Sequence, residues 1–467
     1  MFAIRVNRYL VSAAIAAVFL VGCKGHGDSS SIPQALTNWT WESGTNVANS
    51  LGYYTTQGTP TSTGQPSGRY GAMTWKDSSG VFWVFGGAGG YSDMWSFNTS
   101  TLQWNWVAGN SSSSSVTAGT YGALYTAAAT NVPGQRTLGS TWIDASGNFW
   151  MFGGYGSDAN GLIGYTNDMW SYSPSTNWWT WQGGPSSANS TTYSWGTQGV
   201  ASSSNLPNPR DDAAHWTSTS GMFYMFGGNG YINNLSGQQN DLWQFNPTTK
   251  QWTWISGSQA LNQAGVYGSG EGIASSSIFP GARQSATTWI DSSGNFWLFG
   301  GQGWDSAASY GTLNDLWKFN PTTNQWTWVS GSQLINAIGA YGTNDVASTA
   351  NYPGGRSGAA GWIDGSNNLW VFGGNGINSS GTYTVLNDLW EYQVSTGAWV
   401  WVNGSYNGAA TGYYGTLGVL ANGNMPGSRF AASSWNDSVG NFWMFGGSGY
   451  DAVGSDGRLS DTWKFLP

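Results

Sequence analysis

Residues 283–301 read Arg-Gln-Ser-Ala-Thr-Thr-Trp-Ile-Asp-Ser-Ser-Gly-Asn-Phe-Trp-Leu-Phe-Gly-Gly, and residues 314–328 read Asn-Asp-Leu-Trp-Lys-Phe-Asn-Pro-Thr-Thr-Asn-Gln-Trp-Thr-Trp. Each stretch holds two short runs of β-branched and aromatic residues on either side of a tight-turn sequence, Asp-Ser-Ser-Gly-Asn in one and Asn-Pro-Thr-Thr in the other. The run Phe296 to Phe299 is unbroken up to the diglycine, which marks a strand buried on both faces. The reading is four antiparallel strands joined by hairpins.

The frame returns six times, with a period of about 73 residues. Each copy has a Pro-x-x-Arg, a Trp six residues after the Arg, and a Gly-Gly that opens 17 residues after it. The arginines are Arg69, Arg136, Arg210, Arg283, Arg356 and Arg429. An Asp-x-Trp opens the third strand at Asp93, Asp168, Asp241, Asp315, Asp388 and Asp461. A Trp-x-Trp marks the fourth strand in five copies, and the chain ends at Pro467 before a sixth. The missing pair stands at the other end, where Trp41 precedes Arg69 by 28 residues, as Trp401 precedes Arg429. An N-terminal strand, 38–42, is therefore expected to complete the last sheet and close a ring without exposed edges.

Apolar run, Gly-Gly, then Asn-Asp-Leu-Trp-x-Phe-Asn-Pro-x-Thr-x-x-Trp, as at Asn240 to Trp252 and Asn314 to Trp326, resembles the kelch repeat. The likeness covers residues 38 to 467. It implies an all-β fold, a six-bladed kelch-type β-propeller with four antiparallel strands per blade and the first strand innermost. Kelch repeats run to about 50 residues, so this period is long. The extra length lies before each Arg and repeats as well, as in Trp195-Gly-Thr-Gln-Gly-Val-Ala-Ser and Tyr341-Gly-Thr-Asn-Asp-Val-Ala-Ser. It is expected to be ordered and packed on the blade tops.

Spacing separates the two faces. The intervals that contain the tight turns are constant, whereas from Gly-Gly to the Asp the offset is 14 or 15 residues in five copies and 7 in the first. Variable loops carry function on a rigid scaffold. The short loop Ala88 to Ser92 should leave a notch flanked by Tyr155, Asp158 and Tyr165 on one side and Tyr450, Asp451, Asp456 and Arg458 on the other. These residues, with Trp304 as the one tryptophan in a variable loop, are the candidate ligand-binding set. The bland reading is a loop that is merely shorter, with solvated polar residues. The six arginines could ring the mouth of a pore and bind an anion, but with the six aspartates they are read as fastening blade to blade through Arg–Asp or Arg–carbonyl pairing, since what recurs in every repeat serves packing.

The first 22 residues carry Arg5 and Arg8, an apolar run from Leu10 to Val21 and then Gly22, the form of a secretory signal. The run is too short to span a bilayer. Leu-Val-Gly-Cys resembles a bacterial lipobox, which implies lipidation of Cys23, the only cysteine of the chain. Residues 23–37 then form a lipidated tether, and Lys24 after the cysteine favours, by the same resemblance, the outer membrane. Without the signal, 12 basic residues face 22 acidic ones, a net charge of about −10. That excludes a basic footprint for nucleic acid.

Catalysis finds little support. Neither a metal nor a cofactor is expected, because His215 is the single histidine of the propeller beside Cys23 in the tether. Carboxylates for sugar chemistry are available at Asp211, Asp212, Glu271, Asp305 and Asp345. The expectation is thus a monomeric envelope lipoprotein that binds a glycan or a protein through its loop face. The alternative is a sugar-acting enzyme, either a carboxylate-based glycosidase or an isomerase or mutarotase of sialic acid, a substrate of some envelope kelch propellers.

Overall fold

The computed structural model describes residues 38–111 and 116–467. Cys23 and the leader and tether assigned to residues 1–37 lie outside these. The described residues contain no helix. They form many antiparallel sheets in an all-β, propeller-like fold.

Each copy of the frame builds one four-stranded antiparallel sheet. The first copy uses Met73–Lys76, Phe82–Phe85, Met94–Asn98 and Gln103–Ala108 in that order. In the last copy Ser433–Asn436, Phe442–Phe445 and Thr462–Phe465 are followed at the edge by Trp39–Ser43. There Trp39 pairs with Phe465 and Trp41 with Trp463.

Consecutive sheets pack face to face through the Trp six residues after each Arg. The ring of Trp75 stacks on Phe149 at 5.3 Å, Trp142 on Phe223 at 5.3 Å, Trp216 on Phe296 at 5.2 Å and Trp362 on Phe442 at 5.4 Å. Trp435 stacks on Phe82 of the first sheet at 4.7 Å. The unbroken apolar second strands are thus buried between tryptophans of neighbouring sheets. Such aromatic pairs add about 0.5–1.5 kcal/mol each beyond area burial.

The diglycine has its own steric cause. A Cβ added to Gly153, Gly227, Gly300 or Gly373 would lie 2.6–2.7 Å from the carbonyl oxygen of the Arg in the following sheet. All four of these glycines have positive φ. Only glycine allows this backbone approach.

Each repeat arginine is buried and paired within its own sheet. Nη1 and Nη2 of Arg283 donate to the two carboxylate oxygens of Asp315 at 2.6 and 2.7 Å, while Nη1 also donates to the Gly300 carbonyl and Nε to the Gly281 carbonyl. The same pairs form between Arg69 and Asp93, Arg136 and Asp168, Arg210 and Asp241, Arg356 and Asp388, and Arg429 and Asp461. Side-chain pairing therefore locks first strand to third inside one sheet, and the Arg backbone and the Trp rings join one sheet to the next.

The long period is explained by the segment before each Arg. It runs along the outer edge of its own sheet rather than over the tops: Thr61 donates to the Trp104 carbonyl, Ser202 to Trp252 and Ser348 to Trp399. The exposed fourth-strand edge is thereby covered. The segment is pinned by its aromatic, since the hydroxyls of Tyr54, Tyr121, Tyr267, Tyr341 and Tyr414 donate to the buried aspartates at 2.6–2.7 Å.

Candidate functional site

Residues from all six copies of the frame line one cavity of about 520 Å³. Its wall is built by first-strand residues such as Thr74, His215, Thr288, Gly361 and Ser434 and by the two residues after the Arg in four copies, with only the second of them, Leu138 or Asp212, in the other two. That second residue, Gly71, Leu138, Asp212, Ser285, Gly358 or Ala431, has positive φ in every copy. Their backbones form a cycle in which Leu138 donates to Gly71, Asp212 to Leu138, Ser285 to Asp212, Gly358 to Ser285, Ala431 to Gly358 and Gly71 to Ala431, at 2.7–3.1 Å. The left-handed turn aims each amide along this cycle. For the non-glycine members it costs roughly 1–2 kcal/mol each.

With the amides spent on one another, side chains give the cavity its chemistry. Tyr70, Phe430 and the half-exposed Tyr383 supply aromatic surface, and Gln284, Gln302 and Asn375 supply amides. Tyr70 and Phe430 rings meet at 5.7 Å. Gln238 donates to the Gln284 side-chain oxygen at 3.2 Å and to the Tyr310 hydroxyl at 3.3 Å. His215 lines the wall, with one ring nitrogen 3.2 Å from the Thr141 hydroxyl and the other 3.2 Å from the Ala213 carbonyl. Burial lowers its pKa.

The third sheet breaks the pattern with two adjacent carboxyls. Asp212 accepts a hydrogen bond from the Ser285 hydroxyl, and burial pushes its carboxyl up to about 6. Asp211 is buried, its Oδ1 has no hydrogen-bond partner, and burial together with the neighbouring Asp212 raises its pKa well above the ordinary carboxylate range. Of the other carboxylates considered for sugar chemistry, Asp305 is a buried turn cap, accepting from the amides of Ala307, Ser309 and Ile335. Glu271 borders a separate cavity of about 820 Å³ between the fourth and fifth sheets. The amide of Asp345 donates to the Trp401 carbonyl on the outer edge of the fifth sheet.

A second cavity of about 310 Å³ lies beside the short loop Ala88 to Ser92. Tyr70 lines both cavities, so they adjoin. Tyr155 stands on the far wall, half-exposed, with its ring edge-on to Tyr165 at 5.2 Å. Tyr165 in turn stacks on Tyr231 at 6.2 Å and accepts a hydrogen bond from Asn229. On the other side, Arg458 Nη1 sits so close that a Cβ on Gly89 would be 2.8 Å from it. Tyr450 and the exposed Asp456 face each other across the hairpin that carries Arg458.

Not every expected residue reaches the notch. Asp158 is buried and accepts from the amides of Asn160, Leu162 and Ala188. Asp451 does the same with Val453, Ser455 and Ala48. Both shape their hairpins and tie them to the next segment, which engages their oxygens internally. Trp304 lies in the fourth sheet, its Nε1 donating to Asn262 at 3.2 Å and its ring 5.7 Å from Tyr310. The axial residues Tyr70, Gln284 and Tyr383 escaped sequence reasoning. A signal existed for the first two: the position after each Arg varies as Tyr, Thr, Asp, Gln, Ser and Phe inside an otherwise constant frame.

No protein-family model and no curated protein matches the sequence. Among solved structures, that of YjhT matches with a TM-score of 0.51 at 16% identity, over 85% of this chain and 95% of that one. At that identity the likeness speaks for an all-β, propeller-like fold.

Proposed function

We propose that the chain is a six-bladed kelch-type propeller, lipid-anchored through Cys23 in the bacterial outer membrane, that binds a glycan in its axial cavity. The cycle of backbone hydrogen bonds that runs from Gly71 through the six copies and back from Ala431 supports the closed ring. The observation that carries the ligand class is the cavity wall, where Tyr70, Phe430 and Tyr383 stand among Gln284, Gln302 and Asn375. Sugars present apolar ring faces with hydroxyls at their edges, and aromatic platforms flanked by amides match both. A cavity of about 520 Å³ falls within the range of small-ligand sites. The test is calorimetric titration of the mature protein with a panel of envelope oligosaccharides, repeated with Tyr383→Ala and Gln284→Ala. Binding that both variants leave unchanged would sink the axial site.

A sugar-acting enzyme is the second reading, favoured by the Asp211 and Asp212 carboxyls alone. A carboxyl whose pKa burial raises toward neutrality has the property a general acid needs. Turnover of any bound sugar that Asp211→Asn and Asp212→Asn both abolish would establish it. Binding without turnover leaves the protein a binding module.

A further inference from the structure

Among the described residues of this acidic chain, the basic side chains are almost all accounted for. Six arginines are spent on buried aspartates. Lys464 pairs with Glu42, Lys76 donates to the Asn436 carbonyl, and Lys250 and Lys318 lie over the rings of Tyr125 and Trp297. Among the described residues Arg458 is the one cation whose charged group has neither an ionic, a hydrogen-bonding nor an aromatic partner; only its backbone is engaged, with Asn49. Asp456, two residues along the same strand, makes no ion pair with it.

The surroundings of that guanidinium are equally unspent. Gly89 and Gly90, with φ of 128° and 80°, carry amides that donate to no protein group. An added Cβ on Gly89 would collide with the Tyr91 ring, and that ring is held by the Arg69 guanidinium stacked 4.3 Å from its centroid. The loop is therefore fixed while its polar groups stay open. Free backbone amides beside a guanidinium are the donor set that recognises a carboxylate.

We propose that the notch is an anion subsite, in which Arg458 and the amides of Gly89 and Gly90 hold a carboxylate of the bound glycan, so that the ligand is an acidic oligosaccharide. This rests on the glycan reading of the axial cavity. Tyr70, shared by the two cavities, places a sugar in one within reach of a carboxylate in the other. The shortened loop thus opens a lateral path for a chain-like ligand to leave the axis past Arg458.

The experiment titrates the mature protein calorimetrically with tetragalacturonate and with the same tetrasaccharide after carboxyl reduction. The acidic form is expected to bind at least about tenfold more tightly, as a charge-assisted contact gives. Arg458→Gln should erase that preference without altering the neutral affinity, and Arg458→Lys should keep part of it. Equal binding of the two oligosaccharides, or a preference that survives Arg458→Gln, overturns the anion subsite while leaving the axial site standing. Binding of neither overturns both.

Discussion

The α-carbon of Gly446, in the last sheet, packs against the carbonyl oxygen of Arg69 in the first: an added Cβ would stand 2.7 Å from that oxygen. Gly446 also has a φ of 65°. Gly446→Ala is expected to destabilise the protein by about 2–4 kcal/mol, from the left-handed backbone and the clash together. Gly440→Ala is the control, since Gly440 has a φ of 95° with nothing within 4 Å of an added Cβ. It should cost only the backbone share. Calorimetric melting of both variants checks the difference, and equal losses would count against the steric account.

The Arg283–Asp315 pair is fully buried. Arg283→Met leaves Asp315 an uncompensated buried charge and should cost about 3–5 kcal/mol. The double change Arg283→Met with Asp315→Leu should cost less than the single one. Denaturant unfolding of the three proteins decides whether the pair acts through mutual compensation.

Trp195 occupies the place that tyrosine holds in the other five repeats, and its indole nitrogen is buried without a partner. Trp195→Tyr is expected to donate to Asp241 as Tyr267 does to Asp315. A gain of about 1 kcal/mol follows from one hydrogen bond made and one orphan donor removed. A lowered melting temperature would show that indole packing against Trp243 outweighs the missing bond.

Asp212 has a folded-state pKa of about 6 against 3.8 for a free carboxyl. The folded protein therefore binds more protons than the unfolded one between those values, so stability falls as pH rises through that window. Asp212→Asn, tolerated at positive φ, should raise the melting temperature at neutral pH and match the parent near pH 4. A difference independent of pH would mean the carboxyl is not the source.

Anchoring is tested apart from the fold. Cys23→Ser should abolish incorporation of labelled palmitate and move the protein from the membrane to the soluble fraction. Retention of label would assign the lipid elsewhere.

The all-β architecture was legible because strand, turn and diglycine recur at fixed spacing, and six copies average out local ambiguity. The direction of the Arg–Asp pairing was not. Spacing counts arginines and aspartates in equal number but does not say whether Arg69 meets Asp93 of its own sheet or a neighbour's. The outer course of the added segments was also hidden, because it is fixed by tertiary hydrogen bonds such as Thr61 to Trp104. The axial site was obscured for a different reason. Tyr70 and Gln284 sit within the repeated frame, beside arginines whose role is packing, so the constancy around them masks their own variability.

The hydrogen-bonded cycle at the axis gives that arrangement an evolutionary meaning. Backbone rather than side chains makes the cycle, so the residue after each arginine can change without cost to the scaffold. Duplication of one unit would have produced six identical positions around a single chamber, each free to drift on its own. Tyr70, Gln284, Ser357 and Phe430, which line that chamber, are what such drift leaves behind: an asymmetric recognition surface written on a symmetric frame, open to rewriting one letter at a time.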